Sequence, residues 1–216
     1  MSEKQPIKWI VLNAAYTFII LGLSLAAAMV AKLILNLFLP IDLSSAQGGD
    51  YSRNYYLVFP IHGVVTAAVF LLTAYFGGKT NGFKTGFRFR TSISTPAFIV
   101  QAILAGIVYY FLFLYMFEWW TNLPTWYLSG FLAALFGIFD ASNIYDSVVQ
   151  GYAEIENIYF LYLWLHALLE IVFIVVALIL VKLGRTKGER EAVARHEAQM
   201  AELEKEKERI ASKKSL

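Results

Sequence analysis

Long apolar stretches, separated by short polar segments, dominate the sequence. Four of them can cross a bilayer as helices, because about 20 apolar residues span roughly 30 Å of hydrocarbon: Trp9–Leu39, Tyr55–Phe76, Pro96–Trp120 and Ile158–Leu183. A fifth stretch, Trp126–Phe139, makes a helix of only about 21 Å, which is typical of a re-entrant or interfacial element. The pattern predicts an all-α integral membrane protein with four transmembrane helices.

The distribution of charge predicts the orientation of these helices. The connection Gly77–Thr95 is basic and carries no acidic residue, whereas residues 140–157 are acidic and carry no base. Because lysine and arginine stay on the cytoplasmic side, we expect both termini in the cytoplasm and the element at residues 121–157 outside. The basic residues of the connection are Lys79, Lys84, Arg88 and Arg90.

Composition narrows the class of protein. Hydrophobic residues make up 58% and charged residues 16%, against about 45–50% and 25% in soluble domains, which excludes a disordered chain and argues against a soluble enzyme. The net charge of +2 is too small to indicate a nucleic-acid binder. Cysteine is absent, which excludes disulfides and thiolate metal sites. Its absence, with that of an N-glycosylation sequon, favours a bacterial plasma membrane.

Residues 185–216 form a charged cytoplasmic tail after the transmembrane domain, residues 1–184. We expect a helix from Glu189 onward, with a coiled-coil seam whose positions alternate by three and four. The seam is short, so the pattern predicts either a solvated helix that frays or a weak association helix for a partner or a second copy. The seam residues are Val193, His196, Met200, Leu203, Lys207 and Ile210.

Aromatic and basic residues alternate in the inner connection, residues 77–90. Aromatic rings can enter the headgroup layer while cations meet anionic lipid. The segment is therefore either an ordinary positive-inside loop or a contact site for membrane lipid or a cytoplasmic partner. Its alternation also suits a short hairpin. Elsewhere, small residues four apart, as in Gly22-x3-Ala26 and Ala102-x3-Gly106, predict close helix contacts within the bundle or between two copies.

Polar side chains inside the spans are the candidate functional residues, because ionisable groups in a bilayer are costly and often mark function. A rise of about 1.5 Å per residue places five of them in one layer, about 20–25 Å above the inner ends of their spans. That layer contains His62, Tyr109, Tyr110, His166 and Glu170.

Lys32 lies nearer the outer surface than this layer. Its side chain can snorkel to the interface, or it can pair with Glu118 or Asp42. Lys32 and Glu118 therefore complete the set of intramembrane polar candidates.

Three interpretations of the layer remain open. His166 and Glu170 are four residues apart and share a helix face, so they can lock the bundle by bonding each other and a tyrosine. The layer can instead line a path for a proton or small polar solute. In the third interpretation, His62, His166 and Glu170 bind zinc or iron, or the two histidines ligate haem.

Ser129 and His166 provide the minimum set for serine nucleophilic chemistry. The ten residues around Ser129-Gly130 superficially resemble the nucleophile turn of rhomboid intramembrane proteases. They lack the glycine two residues before the serine, His166 lacks the following glycines, and four spans are too few for that six-helix core. The chain is therefore not assigned to that family.

The sequence favours a non-enzymatic multi-pass membrane protein: an accessory, scaffold or small transport component that acts through a partner or as an oligomer. The basic connection and the tail seam support this interpretation, and no complete catalytic set is evident. The alternative is a metal- or haem-binding membrane protein that uses the layer of His62, His166 and Glu170.

Overall fold

The computed structural model describes residues 7–40, 53–89, 95–109, 124–135 and 152–214, and within these ranges all regular structure is helical. This confirms the predicted all-α class. The helices are α1 (Ile7–Phe38), α2 (Phe59–Phe89, preceded by a π-helical turn at Asn54–Val58), α3 (Thr95–Tyr109), α4 (Pro124–Leu135) and α5 (Tyr152–Lys214).

Three of these helices are long and apolar enough to cross a membrane: α1, α2 and α5. Their 32, 31 and 63 residues correspond to about 48, 46 and 94 Å, each more than the roughly 30 Å of a bilayer core. The third predicted span is described only over α3, whose 15 residues measure about 22 Å.

Proline residues explain where α1 ends and why a π-helical turn precedes α2. Helix α1 ends at Phe38, one residue short of Leu39, because the residue before Pro40 is disfavoured in the helical conformation. Pro60 lies at the second position of α2, directly after the π-helical turn. Proline has no N–H and its ring clashes with the carbonyl four residues earlier, so the wider turn makes room for it.

The expectation that Gly77–Thr95 forms a loop or hairpin is wrong for residues 77–89, which continue α2. The reason is tertiary packing against α5. A Cβ atom at Gly78 or Gly82 would collide with a carbonyl oxygen of α5, and one at Gly184 or Gly188 would collide with a carbonyl oxygen of α2. The four glycines therefore allow the two backbones to touch.

Helix α5 confirms the predicted helical tail but begins far upstream of Glu189. It runs from Tyr152 to Lys214 without a break, so the predicted fourth span and the tail are one rod. Its sequence contains no proline, and its two glycines lie where it contacts α2. The close packing on α2 supports the helix where glycine alone would weaken it.

The centre of the bundle is an apolar cluster contributed by α1, α2, α3 and α5. Phe70 packs edge-on against Tyr109 at 6.1 Å between ring centroids, and against Phe173 at 5.0 Å. The buried members of the cluster are Leu21, Leu25, Ala28, Phe70, Tyr109 and Ala177.

Candidate functional site

The short helix α4 brings a serine to the histidine and glutamate of α5. Ser129 Oγ lies 3.2 Å from His166 Nδ1, and His166 Nε2 lies 3.1 Å from Glu170 Oε1. All three side chains are buried, with exposed fractions of 0%, 5% and 3%. The predicted pairing of His166 with Glu170 is present, and Ser129 extends it to a chain of three polar groups.

The two contacts of His166 favour one tautomer of its imidazole ring. A carboxylate beside Nε2 favours the tautomer with the proton on that nitrogen, which leaves the Nδ1 lone pair for the serine hydroxyl. Glu170 Oε1 forms no hydrogen bond within the described part of the chain, so its contact with His166 is electrostatic. Tyr109 of α3, another residue of the predicted layer, is buried in the central apolar cluster, where its ring packs on Phe70.

His62 lies on the other face of α4. Its Nε2 atom is 3.0 Å from the Leu39 carbonyl oxygen, and because a carbonyl only accepts, Nε2 carries the proton and donates it. The ring packs on Tyr127 at 5.3 Å between centroids, and Phe59 packs on the same ring at 5.6 Å. One nitrogen of His62 therefore satisfies a carbonyl just beyond the end of α1.

The three predicted metal ligands have different partners in the structure. Within the described residues, no group of three histidine, aspartate or glutamate side chains could hold a metal ion. His62 bonds a backbone carbonyl, whereas His166 and Glu170 face each other and Ser129. The second nitrogen of His62, Nδ1, is buried and forms no hydrogen bond within the same residues. Binding of a metal or haem stays a prediction.

A second polar cluster, formed around Arg185, joins α1 to α5. The buried Arg185 donates from Nη2 to Asn13 Oδ1 at 2.6 Å and from Nε to Glu189 Oε1 at 3.3 Å. The side chains of Arg185 and Glu189 are only 4% and 15% exposed. A buried guanidinium needs both charge compensation and hydrogen bonds, and these two partners supply them.

Lys79 and Lys84 of α2 have different surroundings. Lys79 Nζ lies 2.9 Å from Glu191 Oε1, and Arg195 of α5 lies over the Phe83 ring at 5.9 Å from its centroid. Lys84 is exposed. At least Lys79 therefore binds within the chain, while a contact of the exposed Lys84 with lipid or a partner stays a prediction.

Several predicted residues lie outside the described part of the chain or are described only in part. Lys32 is partly exposed near the end of α1. Arg88 belongs to α2 by its backbone alone. The predictions for Tyr110, Glu118 and Arg90 fall on residues that the structure does not describe.

Sequence reasoning missed two features of these sites. The spacing Gly78-x3-Gly82 and Gly184-x3-Gly188 was the available signal for the α2–α5 contact, since small residues four apart mark close packing. The sequence alone places Arg185 in the predicted charged tail, residues 185–216. Only the fold places Asn13, 172 positions earlier, beside it.

Comparison with protein-family models, with curated proteins and with solved structures finds no match.

Proposed function

We propose that this protein is a membrane-embedded scaffold or accessory component that docks a partner protein on a cytoplasmic arm, residues 193–214 of α5. The observation that carries the proposal is the exposed apolar seam of the arm. Its exposed fractions are 49%, 46%, 53% and 51%, and side chains of this kind on one helix face are typical of a helix that binds another helix. These seam residues are Val193, Met200, Leu203 and Ile210.

The charges beside the seam favour a partner over a second copy. With Met200 and Leu203 at the seam positions, the flanking positions between Val193 and Ile210 hold Glu197, Gln199, Glu204 and Glu206. A parallel second copy would gain no opposite-charge pair from these flanks, and an antiparallel copy would oppose glutamate to glutamate, which destabilises the pair. The complementary occupant is a helix with an apolar seam and lysine or arginine flanks.

Peptide binding to the full chain in lipid nanodiscs tests this proposal. The probe is a synthetic heptad peptide with leucine seam positions and lysine flanks, and the control peptide carries glutamate flanks on the same seam. We expect the basic peptide to bind at least about tenfold more tightly, which corresponds to about 1.4 kcal/mol. A Leu203→Asp variant should lose binding because it places a charge in the seam.

Charge reversal and cross-linking distinguish the possible occupants. The triple variant Glu197→Lys, Glu204→Lys and Glu206→Lys should reverse the preference between the two peptides. Equal binding of both peptides by the unmodified chain would contradict the proposal. Because the chain has no cysteine, Leu203→Cys and the opposite-face control Lys205→Cys report self-association directly. Disulfide dimers at position 203 and not at 205 would assign the seam to a second copy.

We also propose four membrane crossings with both termini in the cytoplasm. The basic segment Gly77–Thr95 and the acidic residues 140–157 support this orientation through the positive-inside rule. Helix α3 is the described part of the fourth crossing, predicted at Pro96–Trp120. A membrane-impermeant maleimide should label Asp146→Cys in intact cells and label Lys205→Cys only after permeabilisation. Labelling of Lys205→Cys in intact cells would place the arm outside and reject this orientation.

A further inference from the structure

We propose that Ser129 and His166 form a nucleophile–base pair that hydrolyses a lipid acyl ester. The pair lies between α4 and α5, away from the arm, and would add an activity to the docking role. Two contacts carry the assignment: Ser129 Oγ at 3.2 Å from His166 Nδ1, and Glu170 Oε1 at 3.1 Å from His166 Nε2. A nucleophile, a base within hydrogen-bond reach and a third group beside the base make up the recognised constellation.

Among the described residues, a second buried serine, Ser24, and a second buried histidine, His62, have ordinary structural contacts. Ser24 donates to the carbonyl of Ile20 on its own helix at 2.8 Å, and His62 bonds the carbonyl of Leu39. Serine and threonine hydroxyls inside helices commonly bond in this way, to a carbonyl one turn earlier. Ser129 contacts a histidine on another helix, His166 of α5.

The reaction balances with water as the second reactant. Ser129 Oγ bonds to the acyl carbon and its proton passes to His166 Nδ1. The ester C–O bond breaks, and the departing alkoxide takes that proton and leaves as an alcohol. Water then loses a proton to the same nitrogen and bonds to the acyl carbon. The bond between that carbon and Ser129 Oγ breaks, the proton returns from His166 Nδ1 to Oγ, and a fatty acid leaves. Glu170 is a positioning residue that keeps the other imidazole proton on Nε2 and stabilises the imidazolium.

The depth of the site favours a lipid ester over a transmembrane peptide. His166 lies about 25 Å along the axis of α5 from Leu183, where the predicted span ends. That is close to the far boundary of a core of about 30 Å, where hydrocarbon meets the interfacial region, and the ester bonds of lipids lie at this level. A peptide crossing the membrane keeps every carbonyl hydrogen-bonded in a helix, whereas an ester carbonyl has no such bond to break.

Access to the pair requires α4 to move away from α5, because Ser129 is closed to solvent in this structure. Opening should therefore limit the rate of reaction with any probe.

A long-chain alkyl fluorophosphonate tests the nucleophile on the full chain in lipid nanodiscs, with mass spectrometry to locate the adduct. We expect one adduct per chain at Ser129, none in Ser129→Ala, and unchanged labelling in the matched variant Ser24→Ala. His166→Gln should lower the labelling rate by about 100-fold, in the usual range for loss of a general base. His62→Gln is the control for loss of a buried histidine.

The role of Glu170 and the substrate class have separate readouts. Glu170→Gln should slow labelling and Glu170→Asp should recover part of the rate, a rescue that a merely packed side chain would not give. Vesicles of phosphatidylcholine with the reconstituted chain should release fatty acid, and those with Ser129→Ala should not. Absence of a Ser129 adduct, or equal labelling of Ser24, overturns the pair. Ser129-dependent cleavage of a model transmembrane peptide without fatty-acid release overturns the lipid assignment.

Discussion

Gly184→Ala is expected to lower the free energy of unfolding by about 1–3 kcal/mol, the range for overpacking a tight core. The added methyl group would collide with the carbonyl oxygen of Tyr75 and lie 2.9 Å from the backbone nitrogen of Lys79. Because these are backbone atoms, no side-chain rotation relieves the contact, and α2 and α5 must separate. Gly184→Val should cost more, since its branched side chain pushes the helices further apart.

The matched control is Gly106→Ala on α3. There the nearest atoms are the ends of Leu178 and Ile174, at 3.4 and 3.6 Å from the added methyl group, which is ordinary van der Waals contact. Alanine is the better helix former by about 1 kcal/mol, so this variant should be neutral or stabilised. Unfolding midpoints of the purified chain in detergent measure both variants. Equal midpoints for Gly184→Ala and the unmodified chain would refute backbone contact between α2 and α5.

Glu189→Ala is expected to cost about 3–5 kcal/mol, because it leaves the buried guanidinium of Arg185 without a compensating charge. Asn13 would remain as a hydrogen-bond partner at 2.6 Å, but a neutral amide does not replace a carboxylate. Glu189→Gln should cost less than Glu189→Ala, since it retains an acceptor. The double variant Arg185→Met with Glu189→Leu should recover much of the loss, because apolar side chains then fill the site.

Glu191→Ala is the control for this pair, two residues further along the same helix. Its ion pair with Lys79 is similarly short at 2.9 Å, but the side chains are 31% and 43% exposed. Exposed ion pairs contribute about 0–1 kcal/mol. The same detergent unfolding assay should therefore rank Glu189→Ala well above Glu191→Ala. Equal losses would mean that Arg185 keeps its hydration and is not buried in solution.

The apolar runs predict the helices well because a chain in hydrocarbon must satisfy its backbone polar groups within each segment. The inner connection is different. Its glycines are typical of turns when the sequence is taken alone, yet Gly78 and Gly82 lie inside α2, where they pack on the backbone of α5 at Val181 and Arg185. That contact joins positions about a hundred residues apart, and no local pattern contains it.

The candidate site was predictable only in part. The spacing of His166 and Glu170 placed them on one helix face, and the structure keeps them 3.1 Å apart. His62 was grouped with them only by its estimated height along the axis of its helix. Such a height does not say in which direction around the helix the side chain points. Ser129 lies on α4, and its approach to His166 depends on how α4 packs against α2 and α5.

The unbroken helix α5 gives its distant parts a common angular phase. Each residue turns an α-helix by about 100°, so one inserted residue between Glu170 and Gly184 would carry the glycines and Arg185 away from their partners while Glu170 stays in place. Seven inserted residues return to within about 20° of the original direction, but displace the arm by about 10 Å. The contacts of His166 and Glu170, the glycine contact with α2 and the seam of the arm therefore keep their relative directions only while the number of residues between them stays the same.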